Sequence, residues 1–245
     1  MQRDHIDRWQ FGYLTFVIAT CVAAALTVLP ATASATPGAP GQDDTTSAAP
    51  DVDLALLQLT SADATPIVKW PSDPPPELTV YKTQTTLLSG AAGTSDAQCA
   101  TAVYAGLDTT YAGSGYTGVN YQEMTGFGTK NSYAVISVAS SYPDEHTAAN
   151  MVANTIQKWT DCTHKKVSGD LSGSSETRTV NNVVATTDDI YLVNNIKDEG
   201  GNGGACSHAI TSQRNVVVEV SACRSNIGLV KQGLQLANKM LTKLS

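Results

Sequence analysis

Four cysteines, Cys99, Cys162, Cys206 and Cys223, constrain this chain more than any other feature, and its start says which compartment they belong to. Phe11 to Leu29 runs nineteen positions without a charge, after Arg3 and Arg8 and ahead of Pro30 and a stretch of small residues. That pattern is an export segment. Outside the cytoplasm an even number of cysteines defaults to disulfides, so two covalent staples are expected. Zinc is the competing use, but no two cysteines stand in C-x-x-C spacing, and only His164 and His208 lie within four positions of one. Spacing alone leaves three connectivities open.

The export segment has two possible fates. Ala33-Ser34-Ala35 offers an A-x-A cleavage site before Thr36, so residues 1–35 are expected to be a signal peptide. The apolar run is also long enough to span a bilayer, and retention as an N-terminal anchor is the alternative. Cys21 stands in a poor lipobox, Ile18-Ala19-Thr20-Cys21, and reads better as a small hydrophobe of the apolar run. Residues 36–77 read as a flexible linker. Thr36 to Pro50 has little to bury, Asp53 to Ala64 is apolar enough for a short helix or docking arm, and Trp70 to Pro76 forbids helix. The folded domain is assigned to 78–245, roughly 165 residues, enough for one conventional core.

Within it, Ser95-Asp96 makes a helix N-terminus for Gln98 to Asp108, with Cys99, Val103 and Leu107 on one stripe. Thr117 to Thr125 and Tyr133 to Ser140 read as an antiparallel pair around Gly126-Phe127-Gly128. Pro143-Asp144-Glu145 opens a helix whose Ala148, Val152, Thr155, Ile156 and Trp159 share a face. After the polar loop from Leu171 to Thr179 come four strands, Val180 to Thr186, Ile190 to Ile196, Ala205 to Ser212 and Val216 to Val220. A closing helix follows, with Ile227, Val230, Leu234, Ala237, Leu241 and Leu244 at three and four spacing. Adjacent strands flanked by separate helices give an α+β fold with an antiparallel sheet flanked by helices.

Charge excludes some partners. Fifteen Lys and Arg against 22 Asp and Glu leave a net charge of −7, which gives no support for nucleic acid, or for membrane contact beyond the N-terminal segment. Gly113-Ser114-Gly115-Tyr116-Thr117-Gly118 matches G-x-G-x-x-G, but a dinucleotide loop follows a strand and opens a helix, and here the order is reversed. The glycines from Gly200 to Gly204 lack the spaced acids of a calcium loop and read as a hairpin loop. His146, His164 and His208 are isolated, no G-x-S-x-G elbow exists, and neither catalysis, a cofactor nor a metal is expected. Trp159 and Tyr104 read as core beside a disulfide. Tyr111, Tyr116 and Tyr121, near glycines and read as solvent-facing, are the candidate ligand-binding residues, because tyrosine combines an apolar body with a polar tip.

Residues about 87–245 resemble the PknH-like extracellular sensor domain family of mycobacterial kinases and related lipoproteins. The resemblance rests on Gln98-Cys99-Ala100 with Val103-Tyr104-Ala105, on Tyr111 to Thr117, on Gln157-Lys158-Trp159-Thr160-Asp161-Cys162, and on Cys206 with Asn215 to Cys223. It implies a mixed domain with an antiparallel sheet and a ligand cleft, and pairing of Cys99 with Cys162 and of Cys206 with Cys223. None of the kinase signature motifs is present. The expected function is an extracytoplasmic, secreted or envelope-associated ligand-binding or sensing module without a kinase region, for an unknown small molecule or envelope component. The alternative is an envelope protein that contacts another protein or the cell wall.

Overall fold

The computed structural model of the chain describes residues 52–68, 77–90, 93–128, 131–169, 176–186, 191–197, 204–225 and 231–244. The export segment with Cys21, the proline-rich stretch at 70–76, most of the glycine loop at 198–203 and the start of the closing helix at 226–230 lie outside the described residues.

All eight described strands form one antiparallel sheet. In chain order they are β1 (Thr79–Gln84), β2 (Gly118–Phe127), β3 (Ser132–Ser141), β4 (Lys166–Gly169), β5 (Glu176–Ala185), β6 (Tyr191–Lys197), β7 (Ala205–Gln213) and β8 (Val216–Arg224). Their spatial order is β1-β2-β3-β8-β7-β6-β5-β4. Two meanders therefore meet at the β3–β8 seam, where Tyr133 pairs with Arg224 and Ser141 with Val216. One helix, α4 (Glu145–Asp161), carries the chain between the two meanders, from β3 to the far edge at β4. This confirms the α+β reading.

Helices cover both faces of the sheet. Alternation along β3 and β8 sends Tyr133, Val135, Ala139, Val216, Val218, Val220 and Ala222 into a cluster with α1 (Ser61–Val68) and α5 (Gln232–Leu241). The intervening Val138 and Val217 join Val119, Tyr121 and Ile210 against α2 (Ala97–Val103), α3 (Asp108–Tyr111) and α4. Burial on both sides explains why β8 reads as a nearly continuous apolar run instead of an alternating one. Asp96 caps α2 by accepting the Cys99 N–H at 3.0 Å, and Asp144 caps α4 by accepting the Thr147 N–H at 2.7 Å.

Both implied disulfides are present. Cys99–Cys162 ties α2 to the end of α4, and Cys206–Cys223 joins two residues that face each other across β7 and β8.

The structure corrects several expectations. The linker assignment fails for residues 52–68, because Leu57, Leu59, Ala64 and Val68 are at most 2% exposed and belong to the core. Polar contacts stitch this arm to the sheet. The Gln58 amide donates to the Asn120 carbonyl and accepts from the Ser137 hydroxyl, and Gln122 donates to the Leu59 carbonyl. Thr60 and Asp63 cap α1 reciprocally: Thr60 Oγ1 accepts the Asp63 N–H, and the Asp63 carboxylate accepts the Thr60 N–H.

Further corrections concern element ends. The first helix stops at Val103 instead of Asp108, because Tyr104 is extended and Gly106 has φ +76°. β5 begins inside the expected polar loop, and β1 and β4 were not expected as strands. On α5 the buried face is Leu236, Ala237 and Met240, with Leu244 beyond it, while Leu234 and Leu241 sit at its margin. Gly233 is what brings this helix close: a Cβ there would collide with the Ser207 carbonyl oxygen.

Two outcomes are expected from the arm. A chain starting at Leu78 leaves the seats of Leu57, Leu59 and Val68 empty, at about 1.5–3 kcal/mol for each large side chain, and should be aggregated or molten by near-UV circular dichroism. Burial opposes ionisation of Asp63, but its hydrogen bonds from Thr60 and the Lys243 ammonium at 2.9 Å outweigh it and hold its carboxyl well below the carboxylate range. A depressed folded pKa stabilises above the unfolded value near 4 and is lost as pH falls below it. Urea midpoints should therefore drop on acidification, and Asp63→Asn should flatten that slope.

Candidate functional site

The most buried charge chemistry lies at the centre of β8. Glu219 is a lone carboxylate inside the run Val216 to Ala222, and its side chain is 0% exposed. An isolated buried carboxylate is prohibitively costly, so its partners decide whether the strand can exist. Oε2 accepts the Gly106 N–H at 3.0 Å and the Tyr111 hydroxyl at 2.7 Å. Oε1 meets His208 Nε2 at 2.8 Å, and His208 Nδ1 lies 3.2 Å from the Ala102 carbonyl oxygen. The Ala102 oxygen can only accept, so Nδ1 carries a hydrogen, and Oε2 already takes two donors. The remaining proton therefore lies in the Nε2···Oε1 bond, and the pair is neutral as a unit in either arrangement. Trp159 lies against the imidazole at a centroid distance of 4.4 Å. Burial first, and the Glu219 charge second, raise the Tyr111 phenol well above its ordinary range, so it stays a donor.

This network fixes the connection between α2 and α3 onto the sheet. At Gly106 a Cβ would stand 2.8 Å from Tyr121 Cδ2 and 3.1 Å from Val138 Cγ2, and φ is +76°. Only glycine brings the chain that close with that backbone. The neighbouring Tyr104, Ala105 and Leu107, together with Leu88 and Ser89, then form one wall of a groove of about 630 Å³. Its floor is the same face of β2 and β3, presenting Tyr121, Glu123, Thr125, Phe127 and Ile136, and Tyr81 of β1 closes the other side. Phe127 is 77% exposed and Tyr81 73%, so the rim is aromatic and open to solvent. The one acidic group in the lining is Glu123, which accepts from the Tyr121 hydroxyl at 3.5 Å. Lys82, its cross-strand partner, places its ammonium 6.0 Å from the Tyr121 ring centre.

The three tyrosines read as solvent-facing part company. Tyr111 is 0% exposed and holds Glu219, so it is a core residue and not a surface one. Tyr121 is 1% exposed overall, yet one side of it lines the groove. Tyr116, 40% exposed, stands edge-on to Tyr111 with ring centroids 6.0 Å apart and does not line the groove. Trp159 is fully buried, while Tyr104 is half-buried at the groove wall. His146 and His164 are exposed at opposite ends of α4, and His208 is the buried partner of Glu219. Among the described residues, no three His, Cys, Asp or Glu side chains gather in a way that would hold a metal ion. Glu219 went unrecognised in the sequence, although a single acid inside VVVEVSA is the signal that marks it.

Replacing Glu219 by Ala should cost about 3–5 kcal/mol, because Gly106, Tyr111 and His208 all lose a buried partner. Glu219→Gln should cost only about 1 kcal/mol, since an amide can accept from Gly106 and Tyr111 and donate to a neutral His208. Urea unfolding at neutral pH compares the two; equal losses would show that the carboxylate charge, and not the hydrogen-bond pattern, holds the network.

Comparison with known proteins follows the same division of the chain. The profile of the PknH-like extracellular domain matches residues 23–243. Serine/threonine-protein kinase PknH of Mycobacterium bovis is 29% identical over 147 residues, covering 60% of this chain and 24% of that kinase. The Mycobacterium tuberculosis PknH gives the same identity over 60% of this chain and 23% of its own length, so the chain spans about a quarter of these relatives. The crystal structure of the extracellular domain of PknH from Mycobacterium tuberculosis superposes with a TM-score of 0.68 at 26% identity. It covers 78% of this chain and 94% of that one. The similarity thus falls on an extracellular domain of a kinase and not on its catalytic region, and the two disulfides and the flanked antiparallel sheet agree with it. The chain belongs to the PknH-like extracellular domain family.

Proposed function

We propose that this domain works outside the cytoplasm as a binding or sensing module. In this reading it takes a largely apolar ligand with one hydrogen-bond-donating group into the groove between the α2–α3 connection and β1–β3, and releases it unchanged. The observation that carries this reading is the aromatic-lined groove of about 630 Å³, set on a frame that the buried Glu219 network holds rigid. Pockets of that size with few polar groups suit small-molecule recognition, and Glu123 is the group that would orient the ligand. Tyr121 supplies floor area and Tyr81 and Phe127 the rim. The buried histidine supports a non-enzymatic role, because its proton is sealed between Glu219 and Ala102, away from any solvent-borne substrate.

A second reading rests on the β1 edge. Val80, Tyr81 and Phe127 are exposed apolar side chains beside a strand edge that pairs with nothing among the described residues, which suits a protein partner that adds a strand.

Titrating the domain with an organic extract of its native envelope should raise the melting temperature, by the equivalent of about 2.7 kcal/mol at a hundredfold excess over Kd. Native mass spectrometry should find the ligand unchanged. The double variant Tyr81→Ala, Phe127→Ala should remove that stabilisation while leaving the free domain's melting temperature nearly unmoved, because both rings are mostly exposed. Thr125→Phe separates the readings: it fills the groove floor and abolishes small-molecule stabilisation, but leaves a partner on the β1 edge able to dock. A substrate consumed in the assay would overturn the non-enzymatic proposal.

A further inference from the structure

We infer that the Cys206–Cys223 disulfide is a thiol-exchange site, attacked at Cys223 and built to release Cys206 as a thiolate. The two disulfides differ in their surroundings. Cys99 and Cys162 are both 0% exposed, buried under α2 and α4. Cys206 is 1% exposed, but Cys223 is only half-buried, so solvent reaches the second pair on the Cys223 side.

The sulfur behind it has the feature a leaving thiolate needs. Arg178 on β5 points Nη1 at Cys206 Sγ, 2.9 Å away. A guanidinium donor lowers the energy of a sulfur that gains negative charge, and thiol–disulfide exchange speeds up as its leaving thiolate is stabilised. Arg178 is itself oriented by Glu176, through Nε to Oε1 at 2.6 Å and Nη2 to Oε2 at 3.2 Å, which leaves Nη1 directed at the sulfur. Glu176 in turn accepts from the Tyr104 hydroxyl at 3.4 Å. At Cys223 the neighbouring Ser221 hydroxyl is 3.6 Å from Sγ.

The step balances as ordinary exchange with an external thiol. The R–S⁻ sulfur bonds to Cys223 Sγ, the Sγ–Sγ bond breaks, and its electron pair departs on Cys206 Sγ. The products are a mixed disulfide at Cys223 and a thiolate at Cys206 beside Arg178. The reagent sulfur is oxidised and Cys206 is reduced, with no other oxidant required. The sheet survives the cleavage, because β7 and β8 remain paired from Ala205–Arg224 to Gln213–Val216. An adduct on Cys223 would lie in the same cross-strand row as Ala134 and Thr125, and Thr125 lines the groove floor.

The test uses the full chain under native conditions, with pre-existing free thiols alkylated first and glutathione as the monothiol probe. Quenching with a second alkylating reagent and peptide mass mapping should show glutathione on Cys223, a newly labelled Cys206 and an intact Cys99–Cys162 pair. Arg178→Gln should slow adduct formation about tenfold. Glu176→Gln keeps the guanidinium but loses one of the two acceptors that orient it, so the rate should fall by less than in Arg178→Gln. Adduct mainly on Cys206, parallel opening of both disulfides, an unchanged rate in Arg178→Gln or a larger fall in Glu176→Gln than in Arg178→Gln would each overturn the assignment.

Discussion

A carboxylate in the middle of a sheet's most buried strand sets the terms for the rest of this domain. Glu219 cannot sit there unless several donors converge on it, and they come from three separate pieces of chain: His208 from the next strand, Tyr111 from α3, and Gly106 from the bend between α2 and α3. His208 extends the link to the Ala102 carbonyl near the end of α2. A purely apolar residue at 219 would bury as well, but it would not dictate where the α2–α3 connection runs. The carboxylate does, and the groove wall follows from that path. Specificity of this kind is the best-supported use of buried polar groups.

The covering helices then divide the work. On one face, α2, α3 and α4 close over the centre of the sheet and stop short of β1, which leaves the groove floor uncovered. On the other face the residue 52–68 arm and α5 lie together, joined by Asp63 with Lys239 at 3.4 Å and Lys243 at 2.9 Å. Those ion pairs are partly exposed and contribute little by themselves. Leu57 and Leu59 in the core hold the arm, and the charges set its register along α5.

Much of this was legible in the sequence where one physical signal dominated. The β2–β3 pair, α4 with its Asp144 cap and the strands β6 to β8 carry their own periodicity or caps, and the disulfide pairing came through family resemblance. What stayed hidden has equally specific causes. β1 is exposed along nearly its whole length, so Thr79 to Gln84 shows no apolar alternation to find. The arm is short and enclosed by proline-rich and small-residue stretches, so its apolar content suggests a short helix or docking arm but not that Leu57, Leu59, Ala64 and Val68 belong to the core. Tyr111 and Tyr121 lie near glycines and read as solvent-facing, but Gly106, remote from Tyr121 in sequence, lets backbone press against its ring. At the groove itself only Tyr121 had been singled out for binding. Glu123, Tyr81 and Phe127 come together through strand pairing that no local pattern encodes.

The meander topology also bears on how such a chain is made. Among the four bonded cysteines, Cys99 and Cys162 come first along the chain and Cys206 and Cys223 follow, so each bond joins two that are consecutive in that order. Pairing in chain order is thus pairing in native order. The β3–β8 seam obeys the opposite logic. β3 is complete long before β8 exists, and its seam edge lacks that partner while α4 and four more strands are made. Long-range pairing of this kind is slow to form and prone to aggregation while it waits. The vulnerable interval for this chain is therefore the one before β8 is made, when a bare strand edge needs shielding more than the cysteines need a catalyst of exchange.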